Sequence, residues 1–417
     1  MEMMKSIAEK AIELRDKTVE LLIDLVSADT TDYNEENGQI KVVNFLKKLD
    51  SKVDTVQPDP VKLEKYSQYN PGHTYENRYN VVGTISGLGG GKSLLLHAHM
   101  DTVFPASPKY WLTDPYTPQI TNGKIFGLGS ADTKGSMAAM LMAMKLVKEL
   151  EIPLRGDIIF QSVVDEEAGG GNGSLACLDA GYRADGVIIG EPNHLVPMSA
   201  HVGSFAINVI VDGKSAHGNM KWKGTSAFEK AMPIINALKK LEDKWNLRKF
   251  NLLPSPIITI LEIKSGDGSI TIPGSCEMLI NYTYLPDGYD YNGEIMETIK
   301  HSVSDDPWFA EHPLRIKKHH DCGPYYTNPK EPWPMLIAET ASNLFGKRVE
   351  FKGMACGADA RLYANIGRMP TVILGPGSID NAHQPNEFVL IDELVDAVKL
   401  YASIIYKWAG SSKLDTV

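Results

Sequence analysis

The chain has 417 residues, with 42 Lys and Arg against 52 Asp and Glu and a formal net charge of −10. That length allows roughly two to three domains, each able to bury a core. The acidic balance argues against nucleic acid as a partner, because phosphate binding needs clustered Lys and Arg.

The N-terminal stretch is amphipathic. Ile7, Ala11, Leu14, Val19, Leu22 and Leu25 recur near helical spacing with charges between them. It lacks the uncharged apolar core of a signal peptide. No run approaches the ~20 apolar residues of a membrane span. A cytoplasmic protein without a membrane partner is expected. Residues 79–85 and 93–96 read as strands, 136–150 as a helix, and 158–164 and 186–190 as further strands. Continuous apolar runs between turn residues suit strands buried on both faces, in a mostly parallel sheet between helices.

The pattern changes near residue 200. Residues 204–211 alternate like a half-exposed antiparallel strand, a helix follows over 226–241, and 257–263 and 277–284 are strand-like. Residues 201–318 therefore predict a small α+β domain of about four strands and two helices. Residues 307–334, rich in Pro, His and Lys, read as a connection. The first pattern then returns, with a helix over 338–344, a strand over 370–374 and a last helix over 392–408. The expectation is one α/β domain formed by 1–200 and 319–417, interrupted by the α+β block. Cys177, Cys276, Cys322 and Cys356 lie far apart with no C-x-x-C pair. They support neither a disulfide framework nor a thiolate zinc site and read as reduced, mostly core thiols.

Four predicted buried strands each run into a His or a carboxylate. They lead to His99 and Asp101, to Asp165-Glu166-Glu167, to Glu191, and through a glycine-rich loop to His383. Open α/β sheets place their sites outside the carboxyl ends of strands. His99 and Asp101, two apart on an extended segment, share a face, and His97 shares it too. A ligating imidazole usually donates its other N–H to a carboxylate, which H-x-D can supply. Asp132 follows Gly127 and Gly129 before a helix. It suits either a helix N-cap or a carboxylate bridging two metals. It also occupies the third glycine position of a dinucleotide fingerprint, which that motif does not tolerate. Three adjacent carboxylates at 165–167 repel one another unless solvent or a cation neutralises them. His and carboxylate ligands suit zinc, with cobalt or manganese as alternatives.

The motifs H-x-D (99–101), G-x-G-x-x-D-x-K-G (127–135), D-E-E-x-G-G (165–170), G-E-P (190–192) and A-H-x-P-N-E (382–387) stand in one order along the chain. In this the chain resembles the co-catalytic zinc hydrolases that include acetylornithine deacetylase, succinyl-diaminopimelate desuccinylase and glutamate-releasing carboxypeptidases. The resemblance covers nearly the whole chain. It implies a zinc-peptidase-like catalytic domain interrupted by a lid and dimerisation domain, with two divalent ions, most simply zinc. His99 and Glu191 would hold one ion and Glu167 and His383 the other. Asp132 would bridge them, with a cis peptide after it. Asp101 would orient His99, and Glu166 would be the general base that takes a proton from the attacking water. Gly213-Lys214-Ser215-Ala216-His217-Gly218 resembles the lid histidine motif. His217 would then reach the site on closure, in cis or from the partner of a homodimer. Arg361 looks like the anchor for a substrate carboxylate.

Two departures bear on substrate. Ile270 stands where many relatives carry Asn, and no Arg follows Tyr284-Leu285-Pro286. The Ile272-Pro273-Gly274-Ser275-Cys276 step is more like a deacylase branch. The resemblance thus implies hydrolysis of an amide in a small N-acyl amino acid or short peptide. A dipeptidase or carboxypeptidase is the alternative. A non-catalytic metal-dependent binding protein is the rival from another class, and the intact Glu166 argues against it.

Overall fold

The computed structural model describes residues 2–167, 169 and 171–410, so Ala168 and Gly170 of the acidic motif lie outside the described residues. The chain divides into two compact units. The first comprises Met1–Ser199, Tyr326–Lys352 and Ala358–Val417, and the second Ala200–Tyr325 with Gly353–Gly357.

In the first unit the main sheet contains β1 (Lys52–Val56), β2 (Asn80–Ile85), β3 (Leu94–His99), β4 (Ile158–Val163) and β5 (Gly186–Ile189). Their order is β1-β2-β4-β3-β5, followed by the strand Thr371–Ile373. β4, β3, β5 and Thr371–Ile373 run parallel, while at one side β2 pairs antiparallel with β4 and β1 pairs antiparallel with β2. Every residue of β3, β4 and β5 is buried. That is why these strands show as unbroken apolar runs. The register sets His99 opposite Val163 and Val187 opposite Thr371. The parallel strands therefore deliver their carboxyl ends, and the residues just beyond, to one edge.

Helix α1 (Lys134–Glu149) is buried from Lys134 to Met144, and Leu146 and Val147 are buried too. It belongs to one apolar cluster with the sheet, the N-terminal helices and the last helix, Ile391–Trp408. A helix apolar all round is one covered on every side. The residues 7, 11, 19, 22 and 25 of the N-terminal pattern all point into this core.

A small antiparallel sheet was not legible in the sequence. It joins Gln119–Thr121, Lys124–Phe126 and Phe388–Leu390. Strands of three residues are too short to show a period. This sheet matters because it brings Glu387 alongside the loop that carries Asp132.

The second unit contains β6 (Gly203–Asp212), β7 (Ile258–Ser265), β8 (Ser275–Tyr284) and β9 (Arg315–Cys322), in the order β7-β8-β6-β9, all antiparallel. Its core joins Val209, Val211, Met278 and Ile280 of the sheet to Ala231, Ile234, Leu238 and Trp245 of α2 (Ala227–Trp245). Ile295 and Ile299 of α3 (Tyr291–His301) complete it. β9 corrects the reading of 307–334 as a connection. It is an edge strand that exposes Lys317, Lys318 and His319. Charge on an edge discourages pairing with other chains, and it also hides the apolar alternation by which strands are recognised.

Candidate metal centre

At the end of β3 the His99 side chain is 1% exposed and Asp101 is 6% exposed. His99 Nε2 lies 3.0 Å from Asp132 Oδ1. Its Nδ1 is 2.8 Å from the Asp101 main-chain carbonyl and 3.7 Å from that residue's carboxylate. The nearer orienting acceptor is therefore backbone. The Asp101 carboxylate accepts instead from the Glu167 backbone N–H at 2.8 Å. Asp101 thus links the β3 end to the β4 end.

Asp132 sits between two imidazoles. Its other oxygen is 3.4 Å from His383 Nε2, and His383 Nε2 is also 2.9 Å from Glu167. The peptide bond from Asp132 to Thr133 is cis. Asp132 does not cap α1, whose N-cap is Thr133 without a side-chain hydrogen bond. The loop is fixed from the side by Glu387, 2% exposed. Its carboxylate accepts from the N–H groups of Gly129, Ala131 and Asp132 at 2.9, 2.8 and 2.9 Å. Glu387 is a positioning residue that the A-H-x-P-N-E motif contained but spacing alone did not single out.

Glu191, 4% exposed at the end of β5, leaves Oε1 buried without a hydrogen-bond partner. His99, Asp132 and Glu191 offer ligand atoms within 4.8 Å of one another, and so do Asp132, Glu167 and His383. Asp132 is common to both groups. His97 belongs to neither. It is fully buried, with Nε2 2.8 Å from Ser174 Oγ, and Ser174 donates to Asp359 at 2.6 Å.

Asp165 separates from its two neighbours in the acidic triplet. It is fully buried and accepts from the Tyr75 hydroxyl at 2.8 Å, with His73 at 3.1 Å and Arg78 at 3.4 Å. Arg78 also forms a bidentate pair with buried Glu35. The turn at Asp165 is left-handed, at φ 71°, so these partners hold a conformation that L-residues seldom adopt. Glu35, Tyr75 and Arg78 were not legible as part of this neighbourhood, since each contact spans tens of residues.

The electrostatics fit cation binding. Burial, and then the charges of neighbouring carboxylates, push Glu166 and Glu191 well above the usual carboxylate range. Burial and Asp132 raise Glu167 as well. Burial works to lower His99, but its contact with Asp132 and the surrounding carboxylates outweigh it and raise it well above the ordinary value. Contacts with Asp132 and Glu167 push His383 up to about 11. Divalent ions would offset the carboxylate charge with both imidazoles neutral, as ligating imidazoles are. The lone Glu191 oxygen, the two His and carboxylate donor sets and their shared Asp132 all fit a pair of such ions.

Arg361 is 3% exposed and donates to Gln68 at 3.2 Å and to the Ala358 carbonyl at 2.9 Å, with Asp359 at 3.5 Å. Its fork is engaged within the first unit. His217 lies in the second unit, exposed, and its Nδ1 accepts from the Asn219 N–H at 3.2 Å.

Residues 95–407 match the Peptidase family M20/M25/M40. The chain is similar to an N-formyl-4-amino-5-aminomethyl-2-methylpyrimidine deformylase of Halalkalibacterium halodurans. Identity is 31% over 371 residues, covering 81% of this chain and 85% of the relative. It is 30% identical over 320 residues to an acetylornithine deacetylase of Proteus mirabilis, covering 75% and 78%. Its fold is similar to that of a tripeptidase from Staphylococcus aureus, with a TM-score of 0.75 at 22% identity, covering 94% and 97%. The family match spans the three strand ends that carry Asp101, Glu167 and Glu191 and the His383 loop, and on this ground the chain belongs to the Peptidase family M20/M25/M40.

Proposed function

We propose that this protein hydrolyses the amide bond of a small N-acyl amino acid or short peptide, as a deacylase with two divalent ions. The observation that carries the proposal is the pair of ligand groups sharing Asp132, with the neighbouring Glu166 in neither group and in no ion pair among the described residues. We assign His99 and Glu191 to one ion, Glu167 and His383 to the other, and Asp132 to both. The donor set suits zinc.

When bound, the two ions would supply Lewis-acid polarisation of the scissile carbonyl and of a water. Glu166 takes the proton of the attacking water and passes it to the leaving amine. Asp101 holds His99 and the Glu167 backbone in place. His217 Nδ1 is an acceptor, so the neutral ring carries its proton on Nε2 and can donate to the developing oxyanion. A homodimer through the second unit is part of the proposal. The edge strand β7 exposes Leu261 and Ile263 there, a pairing edge that monomers usually blunt. A cytoplasmic location is supported by Cys177 and Cys276, two buried thiols outside any disulfide. Among the described residues no helix is long and apolar enough to cross a membrane.

Exhaustive chelation is expected to abolish hydrolysis of a panel of N-acetyl, N-formyl and dipeptide compounds, with zinc restoring it. Full activity after metal removal would overturn the reading. The same panel separates a deacylase from the dipeptidase or carboxypeptidase alternative. Metal binding without turnover on any class would favour a binding protein.

A further inference from the structure

Glu166 and Glu167 sit on a loop that leaves β4 and ends at the helix Asn172–Asp179. Glu166 is in neither ligand group and in no ion pair among the described residues. Its position is therefore set by the backbone of that loop. Asp165 is left-handed at one end of the loop, at φ 71°, and Gly171 at the other, at φ 64°. The Gly171 N–H donates to the Asp165 carbonyl at 2.9 Å and closes the loop at its neck. An aspartate in this backbone region needs support from its surroundings.

That support comes from residues 66–78, which run across the neck. Tyr75 is 5% exposed, and Asp165 and Asn172 are fully buried. The Tyr75 hydroxyl donates to Asp165 Oδ2 at 2.8 Å and accepts from Asn172 Nδ2 at 2.6 Å. One hydroxyl thus joins the first residue of the loop to the first residue of the helix beyond it. The directions of these bonds are fixed. Asn172 Oδ1 accepts at 3.1 Å from the Asn70 N–H, a group that can only donate. Asn172 Nδ2 must then donate, to the Asn70 carbonyl at 2.8 Å and to Tyr75. The tyrosine proton is left for Asp165. Arg78, paired with Glu35, donates to the Thr74 carbonyl at 3.0 Å and secures the backbone beside Tyr75. In the same segment the Tyr66 hydroxyl donates to Asp179 Oδ1 at 3.0 Å, at the far end of the helix.

Without the Tyr75 hydroxyl, a buried oxygen of Asp165 and a buried N–H of Asn172 would lose their shared partner. A loop released at its neck carries Glu166 and Glu167 with it. A misplacement of about 1 Å at a reacting group can cost about 10²-fold in rate. We propose that Tyr75 is a positioning residue for the reaction. Its hydroxyl holds the neck of the loop, and so places Glu166 for proton transfer and Glu167 for its ion. The proposal rests on the hydrolase reading only for what Glu166 does.

The test compares Tyr75→Phe with Tyr66→Phe in the cobalt-loaded protein. Both remove a hydroxyl from the same segment, but of the two only Tyr75 bridges the neck. Each variant is assayed at a temperature where circular dichroism shows it folded. The substrate is the most rapidly cleaved compound of the N-acetyl, N-formyl and dipeptide panel. Tyr75→Phe is expected to lose about 10²-fold in kcat with KM within about twofold of wild type. The visible spectrum of the bound cobalt, which reads ligand geometry at Glu167, is expected to change as well. Tyr66→Phe should leave kcat and spectrum at their wild-type values. Should Tyr75→Phe not fold, Asn172→Ser removes the other half of the bridge and carries the same expectation. A spectrum changed by Tyr75→Phe and not by Tyr66→Phe supports the proposal even if no compound is cleaved, in which case the hydrolase reading alone fails. Wild-type kcat and spectrum in Tyr75→Phe, or equal losses in the two variants, would overturn it.

Discussion

Glu166 and Glu167 are adjacent and chemically alike, yet their surroundings separate them. Glu167 contacts His383 and donates its backbone N–H to Asp101, while Glu166 is committed to neither ligand group. Glu166→Ala is therefore expected to keep both metals and lose about 10²–10⁴-fold in kcat. Metal content by elemental analysis, alongside turnover, checks both halves. Loss of metal together with activity would make Glu166 a ligand instead of a base. Glu387 offers the complementary case. Replacing it by Ala strands three buried N–H groups, each costing roughly 1–3 kcal/mol when unsatisfied. Glu387→Ala is expected to lower the melting temperature and weaken metal binding at Asp132. A variant that binds two metals with wild-type affinity would refute its positioning role.

At the scale of elements, the carboxyl end of β4 is clamped to the helix that follows it. Asn80 accepts from the Val164 N–H at 3.0 Å and donates to the Gly173 carbonyl at 2.8 Å. A Cβ on Gly173 would fall 2.2 Å from the Val164 carbonyl oxygen, so no side chain fits without moving the turn that carries Glu166 and Glu167. Gly173→Ala is expected to cost about 1–3 kcal/mol in denaturant unfolding. Turnover should fall further than that loss of stability explains.

Legibility at this scale followed burial. β3, β4 and β5 were readable because each is a closed apolar run, and their ends pointed to His99, Glu167 and Glu191. β9 was not, because an edge strand bearing Lys317 and Lys318 carries no such signal. The strand Phe388–Leu390 was too short to read, and with it went the reason Glu387 meets the Asp132 loop. The Arg78–Glu35 pair was equally invisible, since nothing local ties residues 43 positions apart.

For the whole molecule, bound metal acts as a folding ligand. At a thousandfold excess over Kd it contributes about 4 kcal/mol. Chelation is expected to lower the melting temperature measurably, and an unchanged melt would argue against tightly held ions. The proposed homodimer makes a separate prediction. If His217 serves the partner's centre, mixed Glu166→Ala and His217→Ala subunits should regain part of the activity that each variant lacks alone. No rescue despite demonstrated subunit exchange would place His217 in cis or outside the chemistry.

The sequence by itself determined the buried parallel strands, the His and carboxylate residues at their ends, and the order of motifs that marks the family. These are local properties, carried by short runs of residues and their immediate neighbours. Only the tertiary structure decided that Asp132 stands between His99 and His383, that Asp165 is held by Tyr75 and Arg78 apart from the ligand groups, and that Arg361 is already engaged. Those outcomes depend on contacts between distant segments, whose geometry comes from sheet order and register and not from local spacing.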